Sequence, residues 1–329
     1  MPTLRDIAKA TGVSATTVSK VLKGSERVSP EVSERVRAVA HRLGYRANRS
    51  ARALRTGRTW SLGLIVPDLA NPFFPELAQA IVREARSQGF AVSLVDALED
   101  PDTEEEGIIL LEEQRVDGAI WVPVGDFHPL PFPVVLVDRL APGQDGVGSD
   151  HEAGGRLQAR LAMALGHRRV ALITGPMALE SARLRAKGFL DLAETQMEIV
   201  WVLEAPFSVA FPSGKHQEEL PREVCERLQT GGFSLVACGN DLIALGVLRV
   251  LQSRGIAVPE QVSVVGYDDI PLAGVTYPPL TTVRQPLQRM GQEALRLLLR
   301  RIDHPQTPPV QVRLPVEMVL RGSTREVLG

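Results

Sequence analysis

The sequence predicts an all-α head of three short helices followed by an α/β body of two doubly wound parallel-sheet lobes. Three observations carry this. Residues 1–58 hold 13 Lys+Arg against 4 Asp+Glu, a net charge of +9, while the rest of the 329-residue chain is left with 24 and 35, a net charge of -11. Apolar residues recur at helical spacing up to Leu43, whereas short β-branched runs alternate with amphipathic stretches after Trp60. The length and a hydrophobic content of 44% allow two or three separate cores.

In the head, Leu4, Ile7 and Ala8 form an i, i+3, i+4 stripe that Gly12 ends. Ser14 then caps a second helix, with Val18, Val21 and Leu22 facing inward. Ser29-Pro30-Glu31 supplies an N-cap, a proline at the first helical position and an acidic first turn for a third helix, whose buried face is Val32, Val36, Val39 and Leu43. The first pair, joined through Thr11 to Val13, has the helix-turn-helix pattern. Such a helix enters a major groove and reads base edges with its N-terminal residues. Ala15, Thr16, Ser19 and Lys20 are the outward positions: two hydroxyls that donate or accept, a methyl to pack on thymine, and an ammonium for guanine acceptors. Thr3, Ser14, Thr17 and Ser29 are placed for phosphates, which fix register without reading sequence. A basic head on an acidic body is what double-stranded DNA as a partner requires.

Residues 47–58, "ANRSARALRTGR", carry Arg49, Arg52, Arg55 and Arg58 with no acid and little apolar surface. A helix this short is marginal in water, so ordering by a partner is expected, with Asn48 as its cap.

In the body, "SLGLIVP", "FAVSLVD", "DGAIWVP", "FPVVLVD", "RRVALIT", "SLVACG" and "VSVVGYD" read as strands, and 75–88, 154–165 and 241–254 as helices between them. That rhythm implies parallel sheets with helices on both faces, and seven strands suggest two sheets. Ligands in such folds bind beyond the strands' carboxyl ends, which singles out Asp68, Asn71, Asp96, Asp138, Arg139, Asn240, Asp241, Asp268 and Asp269.

The residues also carry a family resemblance. The segment from "TLRDIAKATGVSATTVSKVLKG" to "ARALRTGRT" resembles the DNA-binding head and hinge of the lactose repressor (LacI/GalR) family. The match continues through "LGLIVPDLANPFF", "VVLVDR", "SARLRAKGF", "CGNDLIALGVL" and "VSVVGYDDIPLAGVTYPPLTTVRQP". The resemblance implies residues 1–46 as a helix-turn-helix domain and 47–58 as a hinge helix that folds on DNA. In that helix Leu54 wedges into the minor groove with Ala51 beside it, while Arg49, Arg52 and Arg55 meet phosphates. An apolar wedge costs a few kcal/mol of unstacking and is offset by the contacts a bent duplex permits. The resemblance further implies residues 59–329 as a periplasmic-binding-protein-like core. Its two lobes are crossed by the chain near 155–160, 284–288 and 314–320, and a small effector sits between them. Motif matching puts Asn71, Phe73, Asp138, Arg185, Asn240, Asp268 and Gln285 around that effector, with Phe207 as a stacking wall. Acceptors mixed with a guanidinium fork suit a polyol, so a sugar or sugar derivative is expected.

The C-terminal segment has no leucine heptads, so a homodimer reading a pseudo-palindromic operator is expected. No export signal or membrane span is evident, and Cys225 and Cys238 read as free thiols, so a cytoplasmic location is expected. Three rival readings share parts of this chain. A sugar-processing enzyme would need a nucleophile, phosphate loop or metal-ligand spacing, and none is evident; His151 and His167 read as surface or capping residues, and neither metal nor cofactor is expected. A solute-binding protein shares the core but has no use for a basic head. A sequence-indifferent DNA binder has no use for the body.

Overall fold

The computed structural model describes residues 2–22, 28–45, 57–125, 127–208 and 219–327. The chain divides into two compact units, residues 1–59 and 60–329.

The first unit packs helix α1 (Leu4–Thr11), α2 (Ala15–Leu22) and α3 (Pro30–Arg42) around Ile7, Val18, Val21, Val36, Val39 and Ala40. Thr3 opens α1 with a reciprocal capping box to Asp6, and Gly12 closes it at φ 69°, a left-handed angle that costs glycine least. Two of the expected inward residues differ. Leu22 ends α2 and Leu43 follows α3, and both stay exposed at 37% and 40% because a core this small does not extend past the helix ends.

The second unit holds two parallel sheets. The six-stranded sheet contains β1 (Ser61–Val66), β2 (Ala91–Asp96), β3 (Gly118–Trp121), β4 (Val134–Val137), β5 (Gly146–Ser149) and β11 (Gln311–Leu314), in the order β11-β5-β4-β3-β1-β2. Its two faces are distinguished by the period-2 alternation along β1. Leu62, Leu64 and Val66 enter the core beneath α4 (Phe73–Ser87) and α10 (Leu287–Asp303), whereas Ile65 joins Ile108, Leu111 and Trp121 beneath α5 (Pro101–Glu113).

The four-stranded sheet runs β7-β6-β8-β9, built from β6 (Arg169–Thr174), β7 (Glu198–Glu204), β8 (Leu235–Cys238) and β9 (Ser263–Val265). Val170 and Leu172 face α6 (His151–Ala164) and α7 (Glu180–Ala193). Ala171 and Ile173 face α8 (Arg222–Thr230) and α9 (Asp241–Ser253). A short antiparallel pair, β10 (Thr282–Arg284) with β12 (Glu317–Val319), completes this lobe.

The chain passes between the lobes three times: between β5 and α6 at Asp150, between β10 and α10, and between β11 and β12. The first passage therefore lies ahead of the 155–160 expected from sequence, because residues 151–164 are already helical and packed in the second lobe. Leu242 and Ile270 of the second lobe complete the core of the first, so the lobes meet through apolar packing as well as through the three connections.

Candidate functional site

Two regions of the chain carry the residues expected to act. In the head, Thr16 and Lys20 are exposed on α2, with Ala15 and Ser19 half-buried beside them. The hydroxyls expected on phosphates also cap helices. Thr3 accepts from the Asp6 amide, Ser14 accepts from the Thr17 amide at 3.0 Å and lies 2.9 Å from the Thr17 hydroxyl, and Ser29 accepts from the Val32 amide at 3.4 Å. A hydroxyl offers one donor and two acceptor positions, so capping leaves capacity for a phosphate. Asn48, Arg49, Ala51, Arg52, Leu54 and Arg55 lie outside the described residues.

In the body, the carboxyl ends of β1, β4, β6, β8 and β9 converge on one cleft between the lobes. Its inner cavity, about 30 Å³, is lined by Asn71, Phe73, Asp138, Arg185, Phe207, Asn240 and Asp268, together with Phe74, Arg139, Leu179 and Ser181. It adjoins an outer chamber of about 440 Å³ that shares Asn71, Phe74, Arg139, Leu179 and Phe207 and adds Glu99, Pro176 and Glu204. That volume lies in the range of about 300–1,000 Å³ usual for small-molecule sites.

Arg185, on α7, organises the floor of the cleft. It is buried, donates from one terminal nitrogen to the Gly239 carbonyl at 2.7 Å, and has the same nitrogen 3.2 Å from Asp268 Oδ1. Its guanidinium carbon lies 3.8 Å from the Tyr267 ring centroid and 5.5 Å from that of Phe207. Asn240 is the N-cap of α9, accepting from the Ile243 amide at 2.9 Å, and donates to the Phe207 carbonyl at 3.0 Å. This bond ties the aromatic wall to a strand end. Gly175 is required opposite the wall, since a Cβ there would strike the Phe207 ring. Gln285 is not among the lining residues; it donates to Asp268 Oδ1 at 2.7 Å from the second lobe connection.

The two acids sit in strained backbone, Asp138 at φ 64° and Asp268 at φ 114°, a region non-glycine residues seldom adopt. Burial pushes the Asp268 carboxyl up to about 6, against the pull of Arg185 and of its hydrogen bond with Gln285. Burial also raises Asp138, but its contact with His151 and the charges of Arg185 and Arg139 oppose this and leave it below the usual carboxylate value. Asp138 Oδ1 and Gln285 Oε1 are buried acceptors without a hydrogen-bond partner among the described residues.

The remaining strand-end acids have structural work. Asp68 and Asp96 accept from nearby amides, Asp269 pairs with Arg284 and Arg321, and Asp241 accepts from the Ile270 amide and the Thr282 hydroxyl. Burial raises the Asp241 carboxyl well above its ordinary value. Arg139 donates to the Pro123 and Val124 carbonyls, which spends one nitrogen of its fork on backbone. Phe74, Leu179 and Ser181 also line the cavity, and in the sequence no strand-end position or charge distinguishes them. His151 and His167, expected in surface or capping roles, are both buried. His151 follows the first lobe connection and faces Asp138, and the His167 Nδ1 lies 2.8 Å from the Ser234 hydroxyl.

Among the described residues no helix is long and apolar enough to cross a membrane, and no group of His, Cys, Asp and Glu is arranged to hold a metal ion.

Comparison with known proteins places both units. The family of bacterial regulatory proteins called the lacI family matches residues 3–48, and the periplasmic binding protein-like domain matches residues 159–324. The ribose operon repressor of Bacillus subtilis (strain 168) is 32% identical over 332 residues, covering 99% of each chain. A solved complex of the transcriptional regulator CelR with cellobiose has a TM-score of 0.70 at 30% identity, covering 98% of this chain and 100% of that one. The lac repressor dimer bound to operator and the anti-inducer ONPF has a TM-score of 0.76 at 28% identity, covering 98% and 99%. With a lacI-type head, a binding-protein-like body and full-length similarity to repressors, this chain belongs to the lacI family of DNA-binding transcriptional regulators.

Proposed function

We propose that the chain is a repressor whose affinity for a pseudo-palindromic operator is set by a small sugar held between the two lobes. The observation that carries this reading is the buried Arg185–Asp268 pair at the meeting point of five strand ends. A neutral polyol needs donors and acceptors together. Arg185 and the Asn240 amide supply the first, and Asp138 and Asp268 the second, with Gln285 holding Asp268 from behind, Asn71 at the rim and Phe73 and Phe207 as apolar walls. One similar repressor is named for the ribose operon and one similar regulator is solved in complex with cellobiose, and both sugars belong to that chemical class.

In the head, Ala15, Thr16, Ser19 and Lys20 read bases, and Thr3, Ser14, Thr17 and Ser29 contact phosphates. Residues 47–58 act as a hinge whose Leu54 enters the minor groove, with Asn48, Arg49, Ala51, Arg52 and Arg55 around it. Two heads are needed for a two-fold site, hence a homodimer. Leu94, Leu98, Ile109 and Leu110 of the first lobe and Val275 and Tyr277 of the second stay exposed, apolar surface that a second copy would cover. A ligand shifts operator affinity only by binding two lobe arrangements unequally, so the cleft and the dimer face must move together. A protein that binds chromosomal DNA acts in the cytoplasm.

The test is calorimetric titration of the purified protein with D-ribose, cellobiose, ribose 5-phosphate and hypoxanthine, followed by operator selection from random duplexes with and without the ligand that binds. Binding of a neutral sugar that changes operator affinity is the expected result. Binding of the nucleobase or the phosphate alone would reject the sugar reading.

A further inference from the structure

His151 is buried at the start of α6, one residue beyond the first connection between the lobes. Three of the groups around it constrain its chemistry. Arg185 points its Nε at His151 Nδ1 at 3.3 Å, and the Tyr267 hydroxyl lies 3.5 Å from the same nitrogen. An arginine nitrogen is always a donor, so Nδ1 must offer its lone pair and the ring proton must sit on Nε2. Nε2 in turn lies 3.2 Å from Asp138 Oδ1 at the end of β4 in the first lobe, off the line of a full hydrogen bond; neither atom has another hydrogen-bond partner among the described residues. Beyond Arg185 the chain of polar groups runs to Asp268 and then to Gln285 on the second lobe connection.

We propose that His151 is the positioning residue of the cleft: its neutral imidazole accepts from Arg185 and turns its other nitrogen to Asp138, tying the second-lobe guanidinium to the first lobe across the chain connection. The inference rests on Arg185 being the effector's anchor. Its content is that the guanidinium is held by groups on two of the three lobe connections, so moving the lobes re-aims the fork. His151 is neutral because a proton on Nδ1 would set a second cation against Arg185, with Arg313 of β11 adding to the repulsion. Asp138 pulls the other way. Burial and Arg185 together lower the basicity of the ring.

The two amide variants separate the halves of this role. In His151→Asn the amide oxygen takes the place of Nδ1 and keeps the acceptor for Arg185, whereas the reach to Asp138 is lost. In His151→Gln the terminal amide takes the place of Nε2 and the acceptor for Arg185 is lost. The experiment records ring-nitrogen spectra of histidine-labelled full-length protein from pH 5.5 to 8, together with the Arg185 Nε–H signal in wild type and both variants. The expected result is an Nε2–H tautomer of His151 and an exchange-protected Arg185 signal that persists in His151→Asn and disappears in His151→Gln. An Nδ1–H tautomer, ordinary titration of His151 near pH 6.5, or an Arg185 signal indifferent to both variants would overturn the proposal. D-ribose titration runs alongside, and His151→Gln is expected to bind about tenfold more weakly than His151→Asn, the size of one charge-assisted hydrogen bond. If wild type binds no D-ribose, cellobiose replaces it in the titration; binding of neither sugar fails the effector reading, and the spectra decide the role of His151 in either case.

Discussion

Arg185 and Asp268 show how much of the cleft is decided by single side chains. Each is buried, so removing one leaves the other as an uncompensated charge, which costs roughly 3–5 kcal/mol in comparable buried pairs. Arg185→Ala is therefore expected to abolish sugar binding and to lower the urea midpoint of unfolding. Arg185→Lys keeps the charge but loses the fork; a single ammonium held at the Gly239 carbonyl and Asp268 has no second nitrogen to donate to His151 or to a ligand, so it is expected to restore part of the midpoint without restoring calorimetric binding. The buried histidines give a pH prediction with a definite sign. Burial lowers the basicity of His167, as it does that of His151, so the unfolded chain binds more protons than the folded one just below pH 6.5. Stability should hold above about pH 6.5 and fall as pH drops below it, and His167→Asn should make the fall in melting temperature between pH 7 and 5.5 shallower. Asp268 acts with the opposite slope. Its raised carboxyl binds protons in the folded state between about pH 4 and 6, so its contribution is lost as pH rises through that window.

At the scale of elements, α6 and α7 cross with their backbones nearly touching. A Cβ on Gly155 would strike the Arg185 carbonyl, and one on Gly188 would strike the Glu152 carbonyl. Both obstacles are main chain, so neither can turn aside. Gly188→Ala is expected to destabilise the protein by roughly 1–3 kcal/mol, read as a lower denaturation midpoint at unchanged m-value. Because α7 carries Arg185, the same variant should weaken sugar binding although it touches no ligand. The elements differ in how plainly the sequence announces them. The head was legible because its helices carry punctuation: Gly12 after the first, Ser14 before the second, and Ser29 with Pro30 before the third. Strands β1, β4, β6 and β8 were legible as runs of buried branched residues. By contrast β5 reads "GVGS", and β10 and β12 are three residues each, too short for periodicity to show, although they frame the lobe connections. Of the cleft, the charged strand-end residues could be found from position. Ser181, Leu179 and the buried state of His151 depend on how α6 and α7 pack between lobes, and local sequence does not encode that.

On the scale of the whole molecule, charge and packing divide at the same place. The basic excess lies in residues 1–58, and among the described residues the head's core cluster draws on none beyond Tyr45. A body of net charge -11 is repelled by a phosphate backbone, so whatever holds the protein to DNA must come from the head and the segment after it. A fragment of residues 60–329 is therefore expected to keep the full-length melting transition of the body and its sugar affinity while losing all operator binding. In the full chain, Leu54→Ala should weaken operator binding with the salt dependence unchanged, because a wedge displaces no counterions. Substituting Arg52 should instead reduce the slope of log K against log salt by about one unit. Measuring both variants across a salt series separates an apolar wedge from a merely basic tether. A Leu54→Ala protein with wild-type affinity at every salt concentration would leave the hinge with an electrostatic role alone, and coupling from cleft to operator would then have to pass through the spacing of the two heads rather than through a bent duplex.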